Sequence, residues 1–313
     1  MSYEGKMLKD LGMPPRKDVE KALLVTLFKH NGTIKEFGSG QQIVDEIANE
    51  FGLKDKQRTA FLQTTYRKEN RAKKSLLWHR LLFRAADSLA KENLVSRPSS
   101  TIRLTNKKEW MLTENGFDEA LRLLRIPNTQ KQFLPTRCFE VQKVIKKLTD
   151  TPRPERYNPF DNLKKTATVT RKSMLRERGF RQAIIEAYDF TCALCGMKIK
   201  SPDSLYWEVE AAHIVPHRYH GKDDVWNGLS LCRFHHWAFD VGWFTLRSDL
   251  TIEVAPKIDS LPVSEGRMGS HEVFRSILKN DLKMILPKQP NIYPHINAIL
   301  WHRKNIFHSS ETL

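Results

Sequence analysis

The sequence predicts an α+β protein with two folded parts and a connector between them. Three observations predict it. Up to about residue 125, apolar residues recur at helical spacing. Beyond that point Pro127, Pro135, Pro152, Pro154 and Pro159 punctuate the chain as far as residue 170. From residue 171 onward, two short pairs of soft ligands, Cys192 with Cys195 and Cys232 with His235, frame a segment with strand-like runs. A length of 313 residues suits about two domains. The expected boundaries are 1–125, 126–170 and 171–313.

In the first part, Asp18 to Lys29 places Ala22, Leu23, Val25, Leu27 and Phe28 at helical spacing, and His30-Asn31-Gly32 stops the helix. Ser39 can cap a second helix running to Phe51, with Ile43, Val44, Ile47 and Ala48 as its inner stripe. Basic residues then crowd together at Arg67, Lys68, Arg71, Lys73 and Lys74. A third helix, Ser75 to Lys91, turns Trp78, Leu81, Leu82, Ala85 and Leu89 inward and Arg80 and Arg84 elsewhere. Leu94 to Thr105 reads as two short strands around Pro98-Ser99-Ser100, a basic hairpin bearing Arg97 and Arg103. A last helix covers Thr113 to Leu124.

Three helices followed by a hairpin is the order of a winged helix, which places one helix in the DNA major groove. The rival is a small helical domain with a solvated basic face. Trp78, Arg84, Leu89 and Leu94, followed by Leu104-Thr105 and Gly116, also resemble the N-terminal winged helix of Mrr-type restriction endonucleases. The expected DNA contacts are Arg71, Lys73, Lys74, Arg80, Arg84, Arg97 and Arg103.

Composition narrows the partners. The net charge of +16 points to nucleic acid first and to an acidic membrane surface second. No apolar run reaches the roughly 18 residues of a membrane span. Met1 to Lys17 lacks the apolar centre of a signal peptide. Four cysteines in a chain this long are too few for a disulfide scaffold, and their clustering suits a metal site in a reducing cytoplasm. In the connector, one helix is expected from Cys138 to Leu148, and Cys138 reads as a buried structural thiol.

In the last part, Arg171 to Tyr188 is an amphipathic helix with Phe180, Ile184, Ile185 and Tyr188 on one side. Cys192, Cys195, Cys232 and His235 then supply four ligands for a closed tetrahedral zinc site. His213 follows a strand, Glu208 to Ala212, and Asn227 lies in the loop before the second ligand pair. His236 and Asp240, four apart on a helix, share a face and can hold one ion together. A lone histidine is more often a satisfied core residue than a catalyst. The order His213, Asn227, His236 around a zinc knuckle reverses that expectation. Strands at Trp243–Leu246 and Thr251–Val254 follow, then helices near His271–Lys279 and His295–Phe307.

Cys192 to Leu246 resembles the HNH nuclease module, the ββα-metal fold, in its zinc-containing branch. More weakly, the resemblance takes in Tyr293-Pro294 and Trp301-His302-Arg303. It implies hydrolysis of phosphodiester bonds in double-stranded DNA. It further implies that His213 is the general base, Asn227 braces the loop and orients it, and His236 binds a catalytic Mg²⁺ or Mn²⁺. The zinc is then structural. One departure stands out: Ala212 occupies the position before the base, where many members carry a metal ligand. Asp240 is the favoured substitute and Glu210 the other candidate.

Two further readings compete. A non-enzymatic zinc-containing DNA-binding regulator would need the zinc ligands but not His213, Asn227 and His236. A zinc base deaminase would place a His-x-Glu before its Cys-x2-Cys, the reverse of the order here. A winged helix joined to an HNH nuclease suggests restriction in a prokaryotic cytoplasm. An enzyme cutting only base-modified DNA needs no protective methyltransferase in the same protein, which favours modification-dependent restriction over a conventional site-specific enzyme. Whether it acts as a homodimer stays open.

Overall fold

The computed structural model describes residues 3–35, 37, 42–66, 71–161, 171–260 and 271–307. It is a mixed α+β protein that divides into two compact units, Met1–Lys143 and Val144–Leu313. Among the described residues, no helix is long and apolar enough to cross a membrane.

The first unit opens with α1 (Tyr3–Asp10) and α2 (Arg16–Lys29). Strand β1 (Thr33–Lys35) leads to α3 (Gln42–Glu50) and the short α4 (Asp55–Thr59). An antiparallel hairpin follows, β2 (Phe61–Tyr66) with β3 (Arg71–Leu76). After α5 (Leu77–Lys91) come β4 (Val95–Ser96), α6 (Pro98–Thr105), β5 (Glu109–Leu112) and α7 (Glu114–Leu124). The three-stranded sheet has the order β1-β5-β4, all antiparallel. Leu23 and Leu27 of α2, Ile47 of α3 and Trp78, Leu82 and Leu89 of α5 are fully buried and form the centre of the core. Each such side chain contributes about 1.5–3 kcal/mol by leaving water. The Trp78 indole N–H is satisfied by the Val44 carbonyl at 3.1 Å, which ties α5 to α3.

The expected hairpin at 94–105 is not formed. Only Val95–Ser96 is strand, and Pro98–Thr105 is helix α6. The reason is local. Pro98 stands in the first helical turn, where its missing N–H costs nothing, and Asn106 closes the helix in the left-handed conformation at φ 57°. Thr101 Oγ1 lies 2.6 Å from the Glu109 carbonyl and so anchors α6 to β5. Arg97 is therefore the residue that precedes a helix, and Arg103 sits on it. The cap expected of Ser39 and the basic residues Arg67 and Lys68 lie outside the described residues.

Helix α8 (Phe139–Asp150) contains the boundary between the units. Cys138, just before it, is fully buried, as expected of a structural thiol. In the second unit, α9 (Arg171–Ala187) packs on the antiparallel pair β6 (Val209–His213) and β7 (Gly228–Cys232). Helix α10 (Arg233–Asp240) follows β7 directly and also packs on the pair. A second hairpin, β8 (Phe244–Leu246) with β9 (Ile252–Val254), precedes α11 (His271–Ile277) and α12 (Ile296–Asn305). Phe180 and Ile184 of α9 lie over Gly228 of β7. A Cβ there would come within 2.5 Å of Ile184 Cδ1, so only glycine admits the helix this close.

The tail closes the unit. Arg153 donates to the carbonyls of Tyr293 and Pro294, and the Asn297 side-chain amide donates to the Tyr157 carbonyl. Trp226 Nε1 donates to the Asn291 carbonyl at 2.7 Å. His302 of α12 is buried and stacks on Phe239 of α10, with ring centroids 3.7 Å apart.

Candidate metal centre and active site

Strand β7 ends at Cys232, and α10 begins at the next residue. This junction delivers Cys232 and His235 to the loop that carries Cys192 and Cys195. The four donor atoms lie within 4.8 Å of one another. Cys192 Sγ and Cys232 Sγ lie 3.6 and 3.1 Å from His235 Nδ1, and Cys195 Sγ lies 4.0 Å from Cys232 Sγ. Zinc bonds of about 2.3 Å to sulfur and 2.0 Å to nitrogen place tetrahedral ligands about 3.5–3.8 Å apart. The residues therefore fit zinc. His235 Nε2 faces the Ile277 carbonyl at 3.4 Å, an outer partner that leaves Nδ1 for the metal. All three cysteines are free thiols.

His213 is the last residue of β6 and pairs with Gly228. Its ring stacks on Phe180 at 4.1 Å between centroids, and only 15% of its side chain is exposed. Its Nε2 lies 3.1 Å from Asp223 Oδ1, and His217 Nε2 lies 3.0 Å from the same oxygen. The other Asp223 oxygen takes Arg176 Nε of α9 at 3.3 Å. An ionised carboxylate only accepts, so both imidazoles carry their proton on Nε2. His213 thus keeps its lone pair on Nδ1. Burial lowers the His213 pKa below the ordinary imidazole value, and the bond to Asp223 opposes that shift. Asp223 is held ionised by the two histidine bonds, which outweigh its burial.

Asn227 is fully buried. Its Oδ1 accepts from the Val215 N–H at 2.8 Å, and its Nδ2 donates to the Val215 and Lys222 carbonyls. Its own carbonyl accepts from the Ile214 N–H at 3.0 Å. Asn227 therefore clamps the segment immediately after His213 from both sides. Gly221 permits this closeness, since a Cβ there would lie 1.7 Å from the Val215 carbonyl oxygen.

His236 follows zinc ligand His235 on α10. Its Nδ1 lies 3.0 Å from Glu210 Oε2, and its Nε2 lies 3.5 Å from Asp240 Oδ2. The two carboxylates address different ring nitrogens. Burial would lower the His236 pKa, but the Glu210 bond and the Asp240 charge raise it overall. Burial raises the Asp240 pKa, against the pull of His236, Arg218 and His213. His213 and His236 thus both act on Asp240.

Reading the sequence missed Asp223 and His217. The available signal was spacing: His217 stands four residues after His213, and Asp223 four before Asn227.

In the first unit, the expected basic residues do not form one free surface. Arg80 and Arg84 both bind buried Glu4 of α1, at 2.8 and 2.7 Å. Arg97 binds Asp87 at 2.7 Å. Arg103 is exposed on α6, and Lys74 is exposed on β3 with its Nζ 5.0 Å from the Phe61 ring centroid. Arg71 and Lys73 also lie on β3.

Residues 192–247 match the family model described as HNH endonuclease. This segment is an HNH endonuclease domain. No curated protein matches the chain. Among solved structures, it is similar to a "Modification dependent TagI restriction endonuclease", at 23% identity over 41% of this chain. The match covers 37% of that protein's length at a TM-score of 0.29, too partial a likeness to transfer fold or activity.

Proposed function

We propose that the chain restricts foreign DNA by hydrolysing phosphodiester bonds in the duplex, with His213 as general base. The observation that carries this reading is the β6–β7–α10 order within the matched HNH segment. It sets His213 at the end of one strand and His236 on the helix that follows the other.

Each residue's part follows from its surroundings. His213, neutral near pH 7 and with its Nδ1 lone pair available, takes the proton from the attacking water. Asp223 holds the ring tautomer, and Asn227 fixes the backbone that carries the ring. His236 Nε2 and Asp240 face one another as two acceptors, which suits a shared cation. Glu210 holds the opposite nitrogen and orients the ring. A bound Mg²⁺ or Mn²⁺ would supply positive charge to the phosphoryl group. Zinc at Cys192, Cys195, Cys232 and His235 has all four positions filled by protein, so its part is to hold α10 against the preceding loop.

The first unit reads as a winged-helix module that selects the DNA. The β1-β5-β4 strand order and the position of α5 just before β4 support this. So do the basic hairpin β2–β3 and the exposed Lys74 and Arg103. In this reading α6 takes the place of a hairpin wing. Separate selecting and cutting units suit a restriction enzyme. Cutting only base-modified DNA would remove the need for a protecting methyltransferase in the same protein.

Digestion of methylated and unmethylated copies of one plasmid, with Mg²⁺ or Mn²⁺, tests the proposal. Cleavage confined to the methylated copy is expected. Cleavage of both copies at one sequence would favour a conventional restriction enzyme, and no cleavage of either would remove restriction as the function.

A further inference from the structure

A second set of metal-ligating side chains stands apart from the Cys/His cluster. His213, His217 and Asp223 each offer one donor atom, and these atoms lie within 4.8 Å of one another. The imidazole nitrogens are 3.1 and 3.0 Å from one carboxylate oxygen. Nitrogen and oxygen ligands at about 2.0–2.1 Å on a tetrahedral zinc sit about 3.3 Å apart. A few tenths of an ångström of outward movement turns these hydrogen bonds into a ligand set. Two imidazoles with one carboxylate suit zinc, cobalt or nickel better than magnesium. Asp223 is turned for the task, because Arg176 occupies its other oxygen. His217, with 38% of its side chain exposed, opens the group to solvent.

We propose that His213, His217 and Asp223 form a second zinc site, and that filling it switches cleavage off. The site itself stands on geometry. The switch rests on the reading of His213 as the general base. In the free protein each ring carries its proton on Nε2. Zinc bonding at Nε2 displaces that proton to solvent, and each ring takes up one proton at Nδ1. Both rings remain neutral, and no net proton is released. For His213 the consequence is specific: Nδ1, the atom with the lone pair, becomes an N–H and no longer accepts a proton from water. The inhibiting ion needs no contact with DNA and does not displace the ion at His236.

The test uses the full chain with its structural zinc in place. Zinc, or cobalt as its coloured substitute, is titrated in, and both metal content and cleavage with Mg²⁺ are followed. The wild type should take up a second equivalent and lose cleavage in step with it. His217→Gln and, separately, Asp223→Asn should bind that equivalent at least about tenfold more weakly, since even outer partners of a metal matter by that factor. Their residual cleavage, each measured against its own rate without added zinc, should resist zinc correspondingly. Metal counting works even for a variant that cuts poorly. Uptake of only one equivalent by the wild type would overturn the site. Undiminished zinc inhibition in His217→Gln would place the inhibition elsewhere and overturn the switch. Retained cleavage in His213→Ala would instead remove the reading of the base, and with it the switch, while the metal count would still decide the site.

Discussion

Glu210 Oε2 lies 3.0 Å from His236 Nδ1, so the ring nitrogen left for a metal is the one that faces Asp240. The two carboxylates therefore make different predictions. Asp240→Asn should raise the Mg²⁺ or Mn²⁺ concentration needed for half-maximal cleavage by about tenfold or more, and Asp240→Ala further. Glu210→Gln keeps an acceptor for the Nδ1 proton and should shift that requirement less. Metal titrations of cleavage decide it, and the reverse order would make Glu210 the ligand.

His213→Ala should lower cleavage by about 10²–10⁴-fold, the usual worth of a positioned base, while keeping the zinc at the Cys/His cluster and DNA binding. The pH dependence has a definite sign. Burial depresses the His213 pKa, so cleavage should be lost only as the pH falls below the range of an ordinary imidazole. The Asp223 bond opposes this depression. Asp223→Ala should therefore move the acid limb of the cleavage profile to still lower pH and reduce the plateau rate. An unmoved limb would remove Asp223 from the support of the base.

Cys195→Ser should cost the protein its tightly held zinc and lower the melting temperature of the second unit, since metal binding and folding are coupled. Metal analysis and calorimetry on the same sample check this together. Full zinc with unchanged melting would sink the assignment.

His302 makes a stability prediction. Burial pushes its pKa down to about 4, while its Nε2 donates to the Phe239 carbonyl and its Nδ1 accepts from Thr245. The unfolded chain gains a proton on this ring near pH 6.5 and the folded chain only near pH 4. Stability from this group is full above pH 6.5 and is lost as pH falls toward 4, on the order of 3 kcal/mol in all. Denaturant melts of wild type and His302→Gln across that range should converge as the pH falls.

Glu4→Gln should release Arg80 and Arg84 from their shared carboxylate and tighten DNA binding. Each added phosphate contact also steepens the salt dependence, by about one unit in the log–log slope. Arg84→Ala in the Glu4→Gln background should undo much of the gain. Mobility shifts at several salt concentrations measure both, and an unchanged slope in Glu4→Gln would remove these arginines from the DNA interface.

The parts of the molecule that were legible in the sequence are those whose partners lie close in the chain or whose chemistry fixes their spacing. The clustering of Cys192, Cys195, Cys232 and His235 was legible because two pairs at x2 spacing have few other uses. Helices α2, α5, α7 and α9 were legible because each carries an apolar stripe. Strands β5 and β7 were not, because every residue in Glu109–Leu112 and Gly228–Cys232 is buried, which leaves no alternation to read. The β2–β3 hairpin was hidden by its own basic residues, which read as a DNA-contacting run rather than as paired strands. Helix α6 was misread because Pro98-Ser99-Ser100 serves equally as a turn or as a helix start. Asp223 was missed because its partners are set by a loop closure around Asn227 that no local pattern announces.

Successive residues on an α-helix point about 100° apart, and on α10 the successive residues His235 and His236 belong to different centres. A zinc ion held by His235 would thereby set the bearing of His236 about the helix axis. On the proposed reading, a newly made chain that has not yet captured zinc would lack that bearing and its nuclease would be disarmed. On that reading, metal capture would act as a maturation checkpoint, holding back the ability to break DNA until the second unit has finished folding.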